Sequence, residues 1–176
     1  MQAGAHAWIE KPPAASVAEV EQMLAAERQT GRFVQVGFKK RFFPATAKVK
    51  AITLQSEFGA VSSIYARYPQ TLRAPELRQD RKAMLGFLDH LFHPASIIHL
   101  LMGEVAALNY TWEPEFSLGQ RYNNGLFLLG YAPEVLAFCE SVLNNTPPGK
   151  AGLSDALTLL RWYEAYTQPE GQWITL

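Results

Sequence analysis

Hydrophobic positions near the start of the chain predict a strand, a helix and a second strand in close succession. Residues 6–10 form a short apolar run that predicts a buried strand, and residues 33–38 alternate in the manner of a second strand. Between them, Val17, Val20 and Leu24 recur at helical spacing and predict an apolar helix face. Because the joints are short, this order predicts a βαβ unit with parallel strands.

The predicted helix carries a sequence signal at each end. The run Ser16-Val17-Ala18-Glu19 is a capping box, in which the serine hydroxyl accepts the N–H of Glu19 and the glutamate reaches back. Gly31 is suited to the left-handed conformation that ends many helices. These two signals place the helix between Ser16 and Gly31.

Beyond residue 38 the same periodicities predict helices and strands joined by polar loops. The helix at 45–56 is expected to turn Val49, Ile52 and Thr53 inward, and Ser154 is expected to cap the last helix. Helices are predicted over residues 45–56, 133–143 and 154–166. Strands are predicted over residues 61–68, 105–112 and 173–176. Loops are predicted over residues 39–44, 69–82 and 144–152.

Composition bounds the class of protein. The chain has 176 residues, 48% of them hydrophobic, which is enough for the core of one domain, or of one domain and a fragment. Its 16 basic and 16 acidic residues balance, so nothing favours a nucleic acid as a partner. No apolar run is long enough to span a membrane and no signal-peptide pattern is visible, so we expect no membrane partner and a cytoplasmic location.

Cys139 is the single cysteine of the chain, so no disulfide forms within it. It lies among Leu136, Val142 and Leu143 at helical spacing. This pattern predicts a buried structural thiol rather than a reactive one.

Lys11 is the first candidate for chemistry. It follows a predicted strand and precedes Pro12 and Pro13, so its position is rigid, and the Lys11–Pro12 bond is a candidate cis peptide. A cation held beside an alcohol oxygen stabilises the alkoxide that develops when the alcohol is oxidised. The alternative is an ordinary surface lysine.

Asp89 and His93 form the second candidate, with two interpretations of the segment that carries them. Residues 85–102 are mostly apolar but are divided by Pro94. If one helix runs through, spacing of four places both side chains on one face, where an aspartate can orient a histidine base. If a helix begins at Pro94, His93 becomes a capping residue.

His90 and His99 are interpreted as structural or exposed residues. The geometry of the three histidines suits a metal ion poorly, so no metal site is predicted.

A basic and aromatic loop covers residues 39–44. Lysines and an arginine beside Phe42 and Phe43 are suited to a phosphate or a nucleic acid, but the balanced charge disfavours nucleic acid. For Lys40, a solvated loop residue is an equal alternative.

Three motifs occur in the order and at the spacing of one enzyme family. They are Glu-Lys-Pro within residues 4–12, Gly-Phe-Lys-Lys-Arg-Phe at 37–42, and Asp89-x-x-x-His93 followed by Gly103. On these motifs, and on two helices near its end, the chain resembles the Gfo/Idh/MocA oxidoreductases, named for glucose-fructose oxidoreductase and inositol dehydrogenase.

The resemblance implies an α/β fold in two parts. Residues 1–38 correspond to a partial Rossmann βαβ remnant, and residues 39–176 to the family's α+β substrate and oligomerisation domain, with a shortened antiparallel sheet. We expect the chain to lack most of the Rossmann domain and part of that sheet. In the family the sheet forms oligomers, so a homo-oligomer through the C-terminal sheet is expected.

The resemblance also implies a reaction and the residues for it. The family transfers a hydride between nicotinamide and a sugar, a polyol or a related hydroxyl compound. Lys11, Asp89 and His93 take the positions of its catalytic and substrate-binding residues, with His93 as the proton acceptor. Ser96 stands where the family has a second substrate-binding aspartate.

The implied cofactor is NAD or NADP. Glu10, Lys11, Pro12 and Arg41 match the family's cofactor-binding positions. The sequence contains no Gly-x-Gly, the turn that brings a helix N-terminus to the pyrophosphate. We therefore expect this chain alone to bind a dinucleotide weakly or not at all. The alternative function is a non-catalytic family member that acts as an interaction or structural module.

Overall fold

The computed structural model describes residues 1, 3–66, 68, 80–108, 132–149, 151–169 and 171–176. Within these residues the chain is a mixed α/β fold with two sheets of two strands each. The helices are α1 (Val17–Thr30), α2 (Pro44–Thr53), α3 (Arg81–Met102), α4 (Ala132–Leu143) and α5 (Leu153–Ala165). The strands are β1 (Ala7–Ile9), β2 (Val34–Val36), β3 (Ala107–Leu108) and β4 (Ile174–Thr175).

The predicted βαβ unit is confirmed. β1 and β2 pair in parallel, with Ala7 opposite Val34, and α1 connects them. The Ser16 hydroxyl accepts the N–H of Glu19 at 3.3 Å, as the capping box predicts, and Gly31 ends the helix at φ 63°. The Glu19 carboxylate reaches back to the N–H of the residue before the cap rather than to the cap itself.

Burial differs between the two parallel strands. β2 is buried along its whole length, because it lies between β1 and a bridge from Gln35 to Gly152 and packs on α5. β1 is only partly buried, so the prediction of a buried first strand was wrong.

The core is centred on α5, which contacts α1, α3 and β2. Its buried residues come from both sides of residue 38: Val20 and Val36 lie in the same cluster as Leu88, Leu159 and Leu160. The division into residues 1–38 and 39–176 therefore stays a prediction, resting on the family resemblance alone.

α3 is one continuous helix that passes through Pro94. The interpretation that a helix begins at Pro94 was wrong, and the helix starts inside the segment predicted as a loop. Pro94 has no N–H to donate to the carbonyl of His90. One turn later the Ser96 hydroxyl donates to the carbonyl of His93 at 2.9 Å, a side-chain bond within the same stretch of helix.

Three predictions between residues 39 and 68 differ from the structure. Residues 39–42 form a 3₁₀ turn rather than a loop, and α2 turns Val49 and Ile52 outward, with 45% and 38% of their surface exposed. Residues 61–66 and 68 form no strand, and Tyr65 is exposed. Alternation there finds no partner strand within the described residues, and strand pairing needs one.

The C-terminal predictions hold in outline. β3 and β4 pair antiparallel and lie within the predicted strands; the remaining positions, 109–112, fall outside the described residues. α5 begins at Leu153, because the Asp155 carboxylate accepts the N–H groups of Ala151 and Gly152, so the predicted cap at Ser154 was wrong.

Cys139 is exposed, so the prediction of a buried thiol was wrong. Its neighbour Phe138 meets Phe33 edge to face, with ring centroids 6.4 Å apart. Because adjacent helical positions point about 100° apart, this contact turns the thiol toward solvent.

None of the helices in the described ranges has the length and hydropathy needed to cross a lipid bilayer.

Candidate active site

Lys11 lies directly beyond β1, and its bond to Pro12 is cis, as predicted. The side chain is nearly buried, with 8% of its surface exposed. Its ammonium group donates to the Asp89 carboxylate at 2.5 Å and to the Asp89 backbone carbonyl at 2.8 Å. The motif at the start of the chain is therefore joined to the motif on α3.

Gly37 lets the ends of the two parallel strands close on each other. Its N–H donates to the carbonyl of Ile9 at 2.8 Å, and a Cβ added at Gly37 would lie 2.8 Å from a carboxylate oxygen of Glu10. That same oxygen accepts the N–H of Lys11. The carboxyl ends of parallel strands are the usual place for ligands in α/β proteins.

Asp89 and His93 lie one turn apart on α3, as the spacing predicts. The Asp89 carboxylate bonds to Lys11 and remains 44% exposed. The His93 ring faces Tyr68, with centroids 6.2 Å apart. The structure thus brings Lys11, Asp89 and His93 together, with the aspartate contacting the lysine.

His93 is held in its neutral form. Burial and the positive charges of Lys11, Lys40 and Lys39, with a smaller effect of His90, lower its pKa to about 3. A histidine that is neutral near pH 7 has a ring nitrogen available to accept a proton.

Lys40 and Tyr68 join the cluster and were not predicted as site residues. The Lys40 ammonium donates to the Tyr68 hydroxyl at 3.3 Å and lies 4.4 Å from the centre of that ring. Burial and the charges of Lys39 and Lys11 lower the pKa of Lys40, while burial and the charge of Asp89 raise the pKa of Tyr68. No local spacing links Tyr68 to α3, so sequence periodicity gives no signal for it.

Arg41 is placed elsewhere. Its guanidinium is buried and bonds to the Ser96 carbonyl at 3.0 Å, to Asp155 at 2.8 Å and to the His99 ring at 2.9 Å. Ser96 is also buried, and its hydroxyl bonds within α3. Both form these hydrogen bonds with the protein itself, and their predicted roles in ligand binding stay predictions.

His99 belongs to this second group, which we call the buried network. Its members are the buried Arg41, Ser96 and Thr158, the partly buried His99 and Asp155 and, exposed at its edge, Glu104. A hydrogen bond to Asp155 raises the pKa of His99; burial opposes it and a second bond, to Glu104, adds to it. Burial raises the pKa of Asp155, but the hydrogen bond from His99 and the charge of Arg41 outweigh it and bring the value to about 2.

Metal-binding clusters of three or more histidine, cysteine, aspartate or glutamate side chains do not occur among the described residues.

Comparison with known sequences relates the chain to oxidoreductases. It is 33% identical over 104 residues to the uncharacterized oxidoreductase YrbE of Bacillus subtilis, a match covering 58% of this chain. It is 26% identical over 105 residues, 59% of this chain, to the inositol 2-dehydrogenase of Salmonella typhimurium. These matches cover 30% of the length of each relative, so the chain corresponds to about a third of them. No family model matches the chain.

Solved structures share the fold over nearly the whole chain. A probable dehydrogenase from Thermotoga maritima superposes with a TM-score of 0.67 at 14% identity, covering 99% of this chain and 74% of its own. The aldose-aldose oxidoreductase of Caulobacter crescentus, complexed with glycerol, superposes with a TM-score of 0.64 at 20% identity, covering 99% and 73%. Sequence and fold together confirm the predicted resemblance: the chain is similar to oxidoreductases in sequence and shares the fold of Gfo/Idh/MocA-like dehydrogenases.

Proposed function

We propose that this chain supplies the substrate side of an NAD(P)-dependent dehydrogenase acting on a sugar, a polyol or a related hydroxyl compound. The supporting observation is the junction of Lys11, Asp89 and His93 at the carboxyl ends of two parallel strands. A fixed ammonium group and a neutral histidine are the two groups that oxidation of an alcohol requires from the protein.

In the proposed mechanism, Lys11 and His93 both act on the hydroxyl group of the substrate, in different roles. His93 accepts the hydroxyl proton on a ring nitrogen, and the Lys11 ammonium stabilises the negative charge that develops on the oxygen. Asp89 holds the ammonium through the 2.5 Å contact and, being partly exposed, can also accept a substrate hydroxyl. Glu10, Lys11 and Pro12 would hold the nicotinamide end of the cofactor, which would supply the acceptor for the hydride that leaves the carbon.

The residues present fit one end of this cofactor. Glu10, Lys11 and Pro12 lie at the carboxyl end of β1, the edge of a parallel sheet where ligands usually bind, and the Lys11 ammonium acts on the ring of His93 there. The residues present do not fit the pyrophosphate of the cofactor. The sequence has no Gly-x-Gly, and the Arg41 guanidinium already bonds to Asp155 and to the Ser96 carbonyl. We therefore assign these residues to the nicotinamide end alone.

The relatives support the class of substrate. One is an inositol 2-dehydrogenase, and one structural neighbour is an aldose-aldose oxidoreductase. Both names describe enzymes that act on compounds with several hydroxyl groups, and a site with a cation, a carboxylate and a neutral histidine offers partners for several hydroxyls.

The test is the turnover of inositol and glucose with NAD and NADP, followed by the formation of the reduced cofactor, in the unaltered protein and in His93→Ala. We expect His93→Ala to lower kcat by roughly 10²–10⁴-fold, the usual contribution of a general base. His90→Ala, which removes an exposed histidine of the same helix, is the matched control and should keep kcat. Equal kcat in the His93 variant and the unaltered protein would contradict the role of His93. Micromolar binding of NADH or NADPH by this chain would contradict the alternative of a non-catalytic module.

A further inference from the structure

Lys40 is a cation of the site that the proposed mechanism does not use. Its backbone is fixed, because its carbonyl accepts the Thr46 hydroxyl at 2.8 Å and the N–H of Phe43 at 3.4 Å. Its ammonium group lies on Tyr68 and, within the described residues, makes no salt bridge. A half-buried ammonium with a phenol as its partner retains donors for an anion.

Among the described residues, positive charge exceeds negative charge around His93. The charges of Lys11, Lys40 and Lys39 all act on its ring. Lys11 is matched by Asp89, and Lys39 is nearly buried with its own interactions, so Lys40 is the cation open to a ligand. A cleft with excess positive charge concentrates anionic ligands.

Tyr68 completes an anion-binding pair with Lys40. Because the Tyr68 oxygen accepts the Lys40 ammonium, its own O–H remains to donate elsewhere. The two groups together can give one carboxylate a charged and a neutral hydrogen bond, on the same side of the ring of His93 that faces Tyr68.

We propose that the substrate is acidic, a sugar or polyol that carries a carboxylate, and that Lys40 with Tyr68 binds that carboxylate while a hydroxyl lies between Lys11 and His93. This assignment rests on the function proposed above and narrows its substrate class from neutral polyols to sugar acids.

The experiment compares glucuronate with glucose, which differ in the carboxylate, by calorimetric titration without cofactor. We expect glucuronate to bind at least about 10-fold more tightly, and Lys40→Met to remove that advantage while leaving glucose unchanged, as for a lost hydrogen bond between charged groups. Lys48→Met, which removes an exposed lysine of α2, is the matched control and should keep the preference. Tyr68→Phe should weaken glucuronate binding by a smaller factor.

The outcomes separate this inference from the proposed function. Equal affinity for glucuronate and glucose, or a preference that survives Lys40→Met, would overturn it. A Lys40→Met protein that binds NADH more weakly but glucuronate as before would overturn it too, because the anion would then be a cofactor phosphate. A preference for glucuronate that depends on Lys40 supports acid binding whether or not this chain transfers a hydride, because the titration contains no cofactor.

Discussion

α3 carries two histidines with opposite electrostatic settings. His93 lies in the candidate site and has its pKa lowered to about 3, whereas His99 lies in the buried network and has its pKa raised. Each has a cation nearby, Lys11 for the first and Arg41 for the second, and each cation contacts a carboxylate. The residue types are similar, and the protonation states they favour are opposite.

The difference lies in what the carboxylates touch. Asp155 contacts both Arg41 and His99, at 2.8 and 3.3 Å, and Glu104 contacts His99 at 3.1 Å, so two carboxylates match the two cations within the protein. Asp89 contacts Lys11, and the described contact of the His93 ring is with Tyr68. Charges that are matched by the protein stabilise the fold, and charges that are left over are available to a ligand.

Position in the fold follows the same division. The buried network ties the 3₁₀ turn, α3 and α5 together through Arg41, which is 1% exposed. The Lys11 contact ties the end of β1 to α3 at Asp89, which is 44% exposed. We therefore expect the first group to control stability and the second to control chemistry.

Arg41→Met is the variant for which we expect the largest loss in the free energy of unfolding. The change leaves Asp155 as a largely buried carboxylate without its cation and the Ser96 carbonyl without its donor. Loss of one partner of a buried ion pair costs about 3–5 kcal/mol in the free energy of unfolding. Urea unfolding followed by circular dichroism measures this cost.

Arg28→Met is the control for Arg41→Met, because Arg28 is an exposed arginine in the last turn of α1. Its removal should change the free energy of unfolding by less than about 0.5 kcal/mol. Equal losses in the two variants would show that the buried network contributes no more than a surface charge.

The second prediction is that His93 and His99 change the stability of the protein in opposite directions as the pH changes. The raised pKa of His99 gives stability that is present below pH 6.5 and is lost as pH rises through its folded pKa. His93 resists protonation, so the protein loses stability as pH falls from 6.5 toward 3. As the pH falls from 8 to 5, His99→Gln should therefore lose stability relative to the unaltered protein, and His93→Gln should gain it by on the order of 1 kcal/mol.

Urea midpoints of the three proteins at pH 5 and pH 8 measure these opposite slopes. His90→Gln serves as the control for an exposed histidine of the same helix. If the stability of the His93 and His99 variants, relative to the unaltered protein, changed in the same direction between pH 8 and pH 5, the candidate site and the buried network would not differ in their electrostatics.

Local features of the chain were predictable where the determinants were local. The cap at Ser16 and the left-handed Gly31 each depend on a few adjacent residues, and both are present; β2 forms within its predicted segment but is buried on both faces. The failure at residues 61–68 has the opposite cause: alternation describes the preference of a segment, and a strand also needs a partner.

The candidate site also contains some contacts that local spacing or a motif predicted and others that it did not. The spacing of Asp89 and His93 predicted that both face one side of α3, and the family motif placed Lys11 beside them. The pairing of Lys40 with Tyr68 and that of Arg41 with Asp155 join positions far apart in the sequence. Periodicity carries no information on such pairs. The contacts of Arg41 inside the protein were therefore not predicted, and its predicted role came from the family motif alone.

Lys11→Met should have the smallest effect on stability and a large effect on turnover. Asp89 is nearly half exposed and can be hydrated after the lysine is lost, so we expect a loss of about 1 kcal/mol or less in the free energy of unfolding. Turnover should fall by about 10²-fold or more, because the cation beside the reacting oxygen is gone. Lys50→Met is the matched control, since Lys50 also donates to an α3 carbonyl, that of Leu100 at 2.8 Å, but lies outside the site. A loss of stability as large as that of Arg41→Met would place Lys11 among the structural cations, and the division between the two halves of α3 would then disappear.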